Sequence, residues 1–389
     1  MQLREYPLGA PGRPLDERLE RLDAELERVD ALVRLALKLR GPLETRVDPL
    51  EALLDRGQAA VDAVRGEVSH VHHQTPHSVT LALRPTASWR GFRAGQHVNL
   101  TVEIGGVRHT RCYSPASSEH DDRRLELTVT AHPEGTVSRH LGGQARPGTI
   151  IGLSQAEGDF LLPERRPERL LLISGGSGIT PVMSMLRTLC DEGHRGEVVF
   201  LHYARGAREA LYTRELDRLA RRHPNVRVVR AHTRGDGPAG ELAGHFSRAH
   251  LAATVGDHAD VEAYVCGPST LVTAVHGVWA EDGLEERLHV ERFTLPPASV
   301  APEEGDGGYV LLSLSDISLE SDGRPILDQA EGAGLMPAYG CRMGICRTCT
   351  CRKVAGAVRD LRSGELSGPG DEEIQPCVSV PVGEVTVEL

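Results

Sequence analysis

Apolar and polar positions follow three different rhythms along this chain. Leu15, Leu19, Leu22, Leu26, Val29, Val33 and Ala36 recur at steps of four and three with charges on the other side. That spacing predicts an amphipathic helix over 15–40, ended by Gly41-Pro42. A second short helical stretch follows over about 49–64. From about Gly66 the period falls to two: SVTLALRP, HVNLTVEI, VRHTRCYS and RLELTVTA are short, alternating and β-branched. They predict an antiparallel barrel. Around Arg169 the pattern becomes continuous apolar runs, RLLLISG, EVVFLHYA, VRVVRAH and VEAYVCG, separated by helical stretches. That is the pattern of a parallel sheet built from βα units. LPPASVAPEEGDGG, residues 295–308, is Pro-, Gly- and acid-rich and reads as a linker. Residues 309–389 form a last compact segment.

The expected organisation is therefore multidomain: an N-terminal helical extension (1–65), a barrel (66–165), an α/β parallel-sheet domain (166–294), the linker and the C-terminal segment. At 389 residues the chain is long enough for two or three separate cores. A net charge of −11 argues against a nucleic-acid partner, because phosphate binding needs a basic face. MQLREYPLGAPGRP has no apolar segment of signal-peptide type, and no stretch approaches the ~20 apolar residues that span a bilayer. The expected location is the cytoplasm, as a monomer. The basic stretch LVRLALKLRGP leaves peripheral membrane contact open beside the plainer reading, a helix packed on its own barrel.

Five of the eight cysteines lie between Cys341 and Cys377. Clustered thiols in a reducing compartment point to metal rather than disulfides. Cys341, Cys346 and Cys349 stand in C-x4-C-x2-C, and Cys377 follows in QPCVSVP. This is the plant-type [2Fe–2S] ligand spacing. Two ferric ions and two sulfides need four thiolates, three of them from one tight loop, and Gly340 and Gly344 let that backbone come close. A zinc ribbon would use two C-x2-C knuckles, and only one is present. Cys351 offers a competing C-x2-C-x-C reading and is set aside as a decoy. The tail, including ILDQAEGAGLMPAYGCRMGICRTC, resembles plant-type ferredoxins, which implies a β-grasp-like α+β domain. Arg342, Arg347, Arg352 and Lys353 crowd the loop. They raise the cluster potential, dock an acidic acceptor face, or are simple solvated charges.

Arg111-Cys112-Tyr113-Ser114 ends a predicted strand, and Gly135-Thr136-Val137-Ser138 opens a helical stretch. With Gly95-Gln96 ahead of them, these match the two flavin motifs of ferredoxin–NADP⁺ reductase-like flavoenzymes in order. The resemblance implies that Arg111 pairs with a flavin phosphate, Tyr113 packs on the ring, and Ser114 bonds near the reactive N5. Gly135, Thr136, Val137 and Ser138 would offer a helix N-terminus to the phosphate. Gly175-Gly176-Ser177-Gly178-Ile179-Thr180-Pro181 follows the strand RLLLIS and opens a helix, a device that suits a pyrophosphate. Cys266-Gly267-Pro268 matches the family's nicotinamide motif, with Glu291 and Phe293 of VERF beside the hydride-transfer site. Ser114, Cys266 and Glu291 are thus the catalytic candidates. Cys112 and Cys190 read as ordinary small core residues. Arg205, Arg208 and Arg214 follow the second strand of this domain and favour the 2′-phosphate of NADPH over NADH. His70, His72, His73 and His77 cluster without a carboxylate or thiol and are discounted as a metal site.

The order of domains resembles the phthalate dioxygenase reductase family. In detail, WRGFRAGQHV, GGVRHTRCYS and the tail resemble bacterial reductases that serve acyl-CoA (stearoyl-type) desaturases. The resemblance implies an NAD(P)H-dependent oxidoreductase using FAD, with FMN the alternative. Hydride would pass to the flavin, and electrons singly to the [2Fe–2S] cluster and on to a protein acceptor. The expected acceptor is a fatty-acyl desaturase. Alternatives are a ring-hydroxylating or haem oxygenase and, from another class, a redox-sensing regulatory role.

Overall fold

The computed structural model describes Val29 and residues 64–389, apart from 122, 134, 235–236, 294–307, 336, 341 and 345–346. The chain divides into two units, Met1–Asp62 and Ala63–Leu389, and the elements below belong to the second. The helices expected at the N-terminus lie outside the described residues, Val29 apart, as does nearly all of the expected linker.

The first sheet holds β1 (Arg65–Thr75), β2 (Ser78–Pro85), β3 (Val98–Ile104), β4 (Val107–Tyr113), β5 (Leu125–Thr130) and β6 (Ile150–Leu153). Its order is β4-β3-β6-β1-β2-β5, antiparallel throughout. Just past β4, Pro115 bridges to Leu127 of β5, so the two edge strands meet and the sheet curls on itself. Alternation places Leu81, Leu83, Leu100 and Leu127 inside, all fully buried. Helix α1 (Thr136–Gln144) docks on this core through Val137 and Leu141, four residues apart on one face. Its start is thereby held at the mouth of the barrel.

The second sheet is parallel, with β7 (Arg169–Gly175), β8 (Glu197–Ala204), β9 (Val226–His232), β10 (Leu242–Ala243), β11 (Glu262–Cys266) and β12 (Leu288–Glu291). The order is β10-β9-β8-β7-β11-β12. Strand β7 shows why its sequence is an unbroken apolar run: both faces are covered. Leu170 and Leu172 pack on one side with α2 (Ile179–Asp191) and α3 (Thr213–Arg222). Leu171 and Ile173 pack on the other with α4 (Arg248–Val255) and with Val275 and Trp279 of α5 (Ser269–Glu281). Pro181 sits in the first turn of α2, where its missing N–H removes no helical bond.

The third sheet is mixed. It comprises β13 (Tyr309–Leu312), β14 (Ile317–Glu320), β15 (Cys351–Asp360), β16 (Glu372–Ile374) and β17 (Ser379–Val387), in the order β14-β13-β17-β15-β16. Only β13 and β17 run parallel. One short helix, α6 (Ile326–Gly332), closes its core with Ile326 and Ala330.

Candidate active site

A cleft of about 530 Å³ opens where the first two sheets meet the cysteine loop. Arg111, Tyr113 and Ser114 reach it from the end of β4, and residues Gly135 to Ser138 from the start of α1. Ser177 and Thr180 line it from the β7–α2 turn, and Glu291 and Phe293 from the end of β12. Arg342 and Met343 of the cysteine loop complete the wall.

The polar groups in this cleft suit a flavin. Ser114 is buried, and its Oγ has no hydrogen-bond partner among the described residues. A buried hydroxyl without a partner is costly, so a ligand atom is its natural complement. Arg111 is half-buried and donates from Nη1 to the Thr110 and Gly340 carbonyls, at 2.7 and 3.1 Å. No carboxylate pairs with it among the described residues, which leaves Nη2 and Nε for an anion. Burial pushes the Tyr113 phenol up to about 12, against the pull of Arg111, so it stays neutral beside the cleft. Ser138 Oγ accepts the His132 N–H at 3.2 Å and keeps the turn before α1 closed.

The glycine motifs of the parallel sheet act one step back from the cleft. A Cβ on Gly178 would overlap the backbone of Cys266 and Gly267, and one on Gly175 would lie 2.8 Å from Pro268 and Leu271. The turn Gly175–Gly178 and the segment Cys266–Pro268 are thus packed backbone against backbone. Gly176, with φ of 54°, gives the turn its left-handed step. Cys266 is fully buried, paired in register with Glu291 of the neighbouring strand. Burial first, then the nearby Glu291 charge, pushes its thiol well up. The Glu291 carboxyl is itself raised to about 7 by burial, with Asp159 adding repulsion. Glu291 lines the cleft, whereas Cys266 does not reach its wall.

Arg205 stands just beyond β8 and Arg234 just beyond β9, joined by a backbone bond of 2.9 Å from Arg234 N–H to Arg205 O. Both, with Arg208, are exposed. Arg214, in α3, is exposed as well.

In the cysteine loop, Cys349 and Cys377 are both buried and share one small core with Leu327 and Val378. Cys341 and Cys346 lie outside the described residues. Two soft thiol donors brought together from distant parts of the chain fit an iron–sulfur centre. Gly344 is backed by Val378 and Arg362 closely enough that a Cβ would fall 2.7 Å from Val378. Cys351 packs against the other core of this domain, its thiol raised to about 12 chiefly by burial. The four cations expected to crowd the loop are not alike. Lys353 is fully buried and donates to the Gly356, Gly368 and Gly370 carbonyls at 2.8, 2.8 and 2.6 Å, with Glu372 at 3.0 Å. It is a brace for the 366–370 turn, which corrects its reading as a docking charge. Arg352 pairs with Asp371 and Glu388, and Arg342 with Asp328 and Glu331. Arg347 remains exposed.

Sequence reasoning missed several residues of the cleft wall: His97, Cys112, Thr128, Thr130 and His132, besides Arg342 and Met343. Cys112 is half-buried on this wall and donates to Asn99 Oδ1 at 2.9 Å, so it is more than core filling. The available signal was alternation: Thr128 and Thr130 are polar residues on one face of β5.

Three family models cover the chain in this order: oxidoreductase FAD-binding domain over residues 67–161, oxidoreductase NAD-binding domain over 172–277, and 2Fe-2S iron-sulfur cluster binding domain over 313–382. An NADPH oxidoreductase of Mycobacterium tuberculosis is 35% identical over 84% of each chain. The glycine betaine monooxygenase reductase subunit of Chromohalobacter salexigens is 30% identical over 77% of this chain and 87% of its own. Among solved structures, phthalate dioxygenase reductase, described as a modular structure for electron transfer from pyridine nucleotides to [2Fe–2S], is 23% identical. It superposes with a TM-score of 0.57 over 85% of this chain and 99% of its own, a likeness of fold.

Proposed function

This chain belongs to the family of oxidoreductases that join FAD-binding, NAD-binding and 2Fe-2S domains in one polypeptide, and from that premise we propose that it is the reductase component of an oxygenase. The observation that carries the reading is the single cleft walled by both flavin motifs, the β7–α2 turn and the cysteine loop. Flavin and cluster together supply the conversion of a two-electron donor into single electrons. The chain's own residues bind and orient: Arg111 and the start of α1 take the phosphate, and Ser114 bonds the ring edge. Glu291 and Phe293 bound the nicotinamide side, and Cys341, Cys346, Cys349 and Cys377 hold the iron. Four-thiolate ligation suits a reducing compartment, the cytoplasm. Among the described residues no helix is long and apolar enough to cross a membrane.

The relatives support an oxygenase as acceptor through names such as glycine betaine monooxygenase reductase subunit and 3-ketosteroid-9-alpha-monooxygenase, ferredoxin reductase component. The fatty-acyl desaturase expected from the sequence finds no such support. Reconstitution with each class of acceptor discriminates: NAD(P)H-dependent product with an oxygenase and none with a desaturase supports the proposal, and the reverse refutes it. A redox sensor, by contrast, would show negligible steady-state cytochrome c reduction.

NADPH is favoured by Arg205, Arg208 and Arg234, which have no carboxylate partner among the described residues. Arg205→Ala with Arg234→Ala is expected to raise KM for NADPH roughly tenfold, in line with losing charged hydrogen bonds, and to leave NADH unaffected. FAD is favoured over FMN by a second cleft of about 350 Å³ along α1, lined by Thr136, Arg139 and His140, which shares Thr136 with the first. Acid extraction of the bound flavin distinguishes the two.

A further inference from the structure

The flavin cleft and the cysteine loop meet at one side chain. Arg111 Nη1 holds two carbonyls, that of its neighbour Thr110 and that of Gly340, 229 residues further along the chain. Gly340 is buried and immediately precedes Cys341, the first cysteine of C-x4-C-x2-C. A carbonyl removed from water depends on its donor, and the bond here is charge-assisted. A guanidinium has five N–H donors in a rigid plane, so one end can hold a carbonyl while the free edge receives an anion.

Arg342 and Arg362 also tie the same loop, and both belong to the C-terminal domain. Arg342, whose φ of 56° is left-handed, is gripped by Asp328 at 3.0 Å and by Glu331, with its guanidinium 4.0 Å over the Tyr339 ring. The Gly344 carbonyl accepts from Arg362 Nη1 at 2.5 Å. The Arg111 tie differs because it starts on β4, inside the flavin cleft, and responds to what that cleft holds. Arg342 and Met343 line the cleft as well, so its filling reaches the loop at three successive described positions.

Resting on the reading of the cleft as a flavin site and the loop as a cluster site, we infer that Arg111 is a positioning residue shared by both, so that flavin occupancy secures the cluster loop and an intact loop secures the flavin. A phosphate on the free edge immobilises a long side chain that otherwise gains entropy by swinging into water and releasing Gly340. The coupling is reciprocal by linkage. A lysine keeps the charge but has no planar fork, so it cannot hold both partners in this arrangement.

The test times cluster release. Holoenzyme is first assayed for flavin and iron, then part of it is stripped of flavin with a mild chaotrope. Bleaching of the visible cluster absorbance and circular dichroism by an iron chelator is followed in each. Flavin removal should speed bleaching on the order of fivefold, and flavin added back should restore the slow rate. Arg111→Lys should bleach faster than flavin-free wild type, whether or not flavin is supplied. Ser138→Ala, which weakens phosphate binding without touching Gly340, should still be protected at saturating flavin. Equal bleaching rates in holo and flavin-free wild type overturn the inference without any variant having to fold, and so does an Arg111→Lys rate equal to that of wild type. A preparation that binds no flavin or no iron would instead overturn the reductase reading, and the inference with it.

Discussion

Two seams border the same cleft, and they are built on different scales. Between the antiparallel and parallel sheets, Arg187 of α2 has a side chain only 14% exposed. It donates to Glu126 at 2.6 Å, to both oxygens of Glu215 at 2.8 Å, and to the Ala116 carbonyl at 2.6 Å. Tyr212 bonds Thr128 across the seam, and Ser184 donates to the Ser117 carbonyl at 2.7 Å. Ala94, Ala116, Phe160 and Leu162 share one apolar core with α2. The seam to the C-terminal sheet shows the Arg111–Gly340 bond and the approach of Arg342 and Met343, while Val310, Leu312 and Ile326 bury one another in a separate core. The difference follows the chemistry. Hydride transfer moves a nucleus and needs reacting atoms about 3–3.5 Å apart, so a rigid weld serves it. An electron tolerates a wider range of distances, and a light, polar interface leaves the C-terminal domain able to shift toward a partner.

The comparison breaks most sharply at the cysteines. Cys346→Ser is expected to abolish cluster assembly, read as iron content and visible absorbance, while hydride transfer in protein saturated with flavin stays within about twofold, because the weld is untouched. Full cluster retention would contradict the ligand assignment. At the weld itself, Arg187→Met leaves the largely buried Glu126 and Glu215 with only the more exposed Arg124 and Arg218 as counter-charges. That should cost about 3–5 kcal/mol in urea denaturation, since removing one member of a buried ion pair strands the other. A loss below about 1 kcal/mol would mean that the seam does not depend on it.

Smaller effects sharpen the chemistry of the welded side. Ser114→Ala should slow flavin reduction by NADPH by up to roughly tenfold, the worth of one hydrogen bond, in stopped-flow measurements. An unaltered rate would remove Ser114 from the catalytic candidates. Glu291 should leave a mark on stability. Its carboxyl titrates near 7 in the folded protein, against 4.5 for an ordinary glutamate. Between those values the native state binds more protons than the unfolded chain. Its contribution is therefore complete below about 4.5 and is lost as pH rises to about 7. Glu291→Gln should flatten that part of the profile of urea midpoints, and an unchanged slope would rule out the burial account.

Much of this was legible in local sequence. The period of two in VNLTVEI and the unbroken run RLLLIS give β3 and β7 because each pattern reports which faces are covered. Short strings such as RCYS and GTVS could be placed on a strand end and a helix start, since each acts through its own backbone turn. What stayed hidden depends on contacts between distant segments. Nothing near Arg187 announces that two carboxylates from other elements surround it, and an arginine on an amphipathic helix reads as solvent-facing. Lys353 reads as a surface charge until the Gly356 carbonyl and two carbonyls of a later turn close over it. Arg342 and Met343 join the cleft wall only through the approach of the cysteine loop to the first two sheets, which no local period encodes.

In the proposed reductase, electrons pass from flavin to cluster within one polypeptide, across the cleft walled by both flavin motifs and the cysteine loop. Anaerobic stopped-flow mixing with NADPH, following flavin and cluster absorbance over a tenfold range of protein concentration, tests it directly. The flavin should bleach first, and the cluster should follow at a rate independent of protein concentration. A cluster phase whose rate rises in proportion to concentration, or no cluster reduction at all in fully loaded protein, would contradict it.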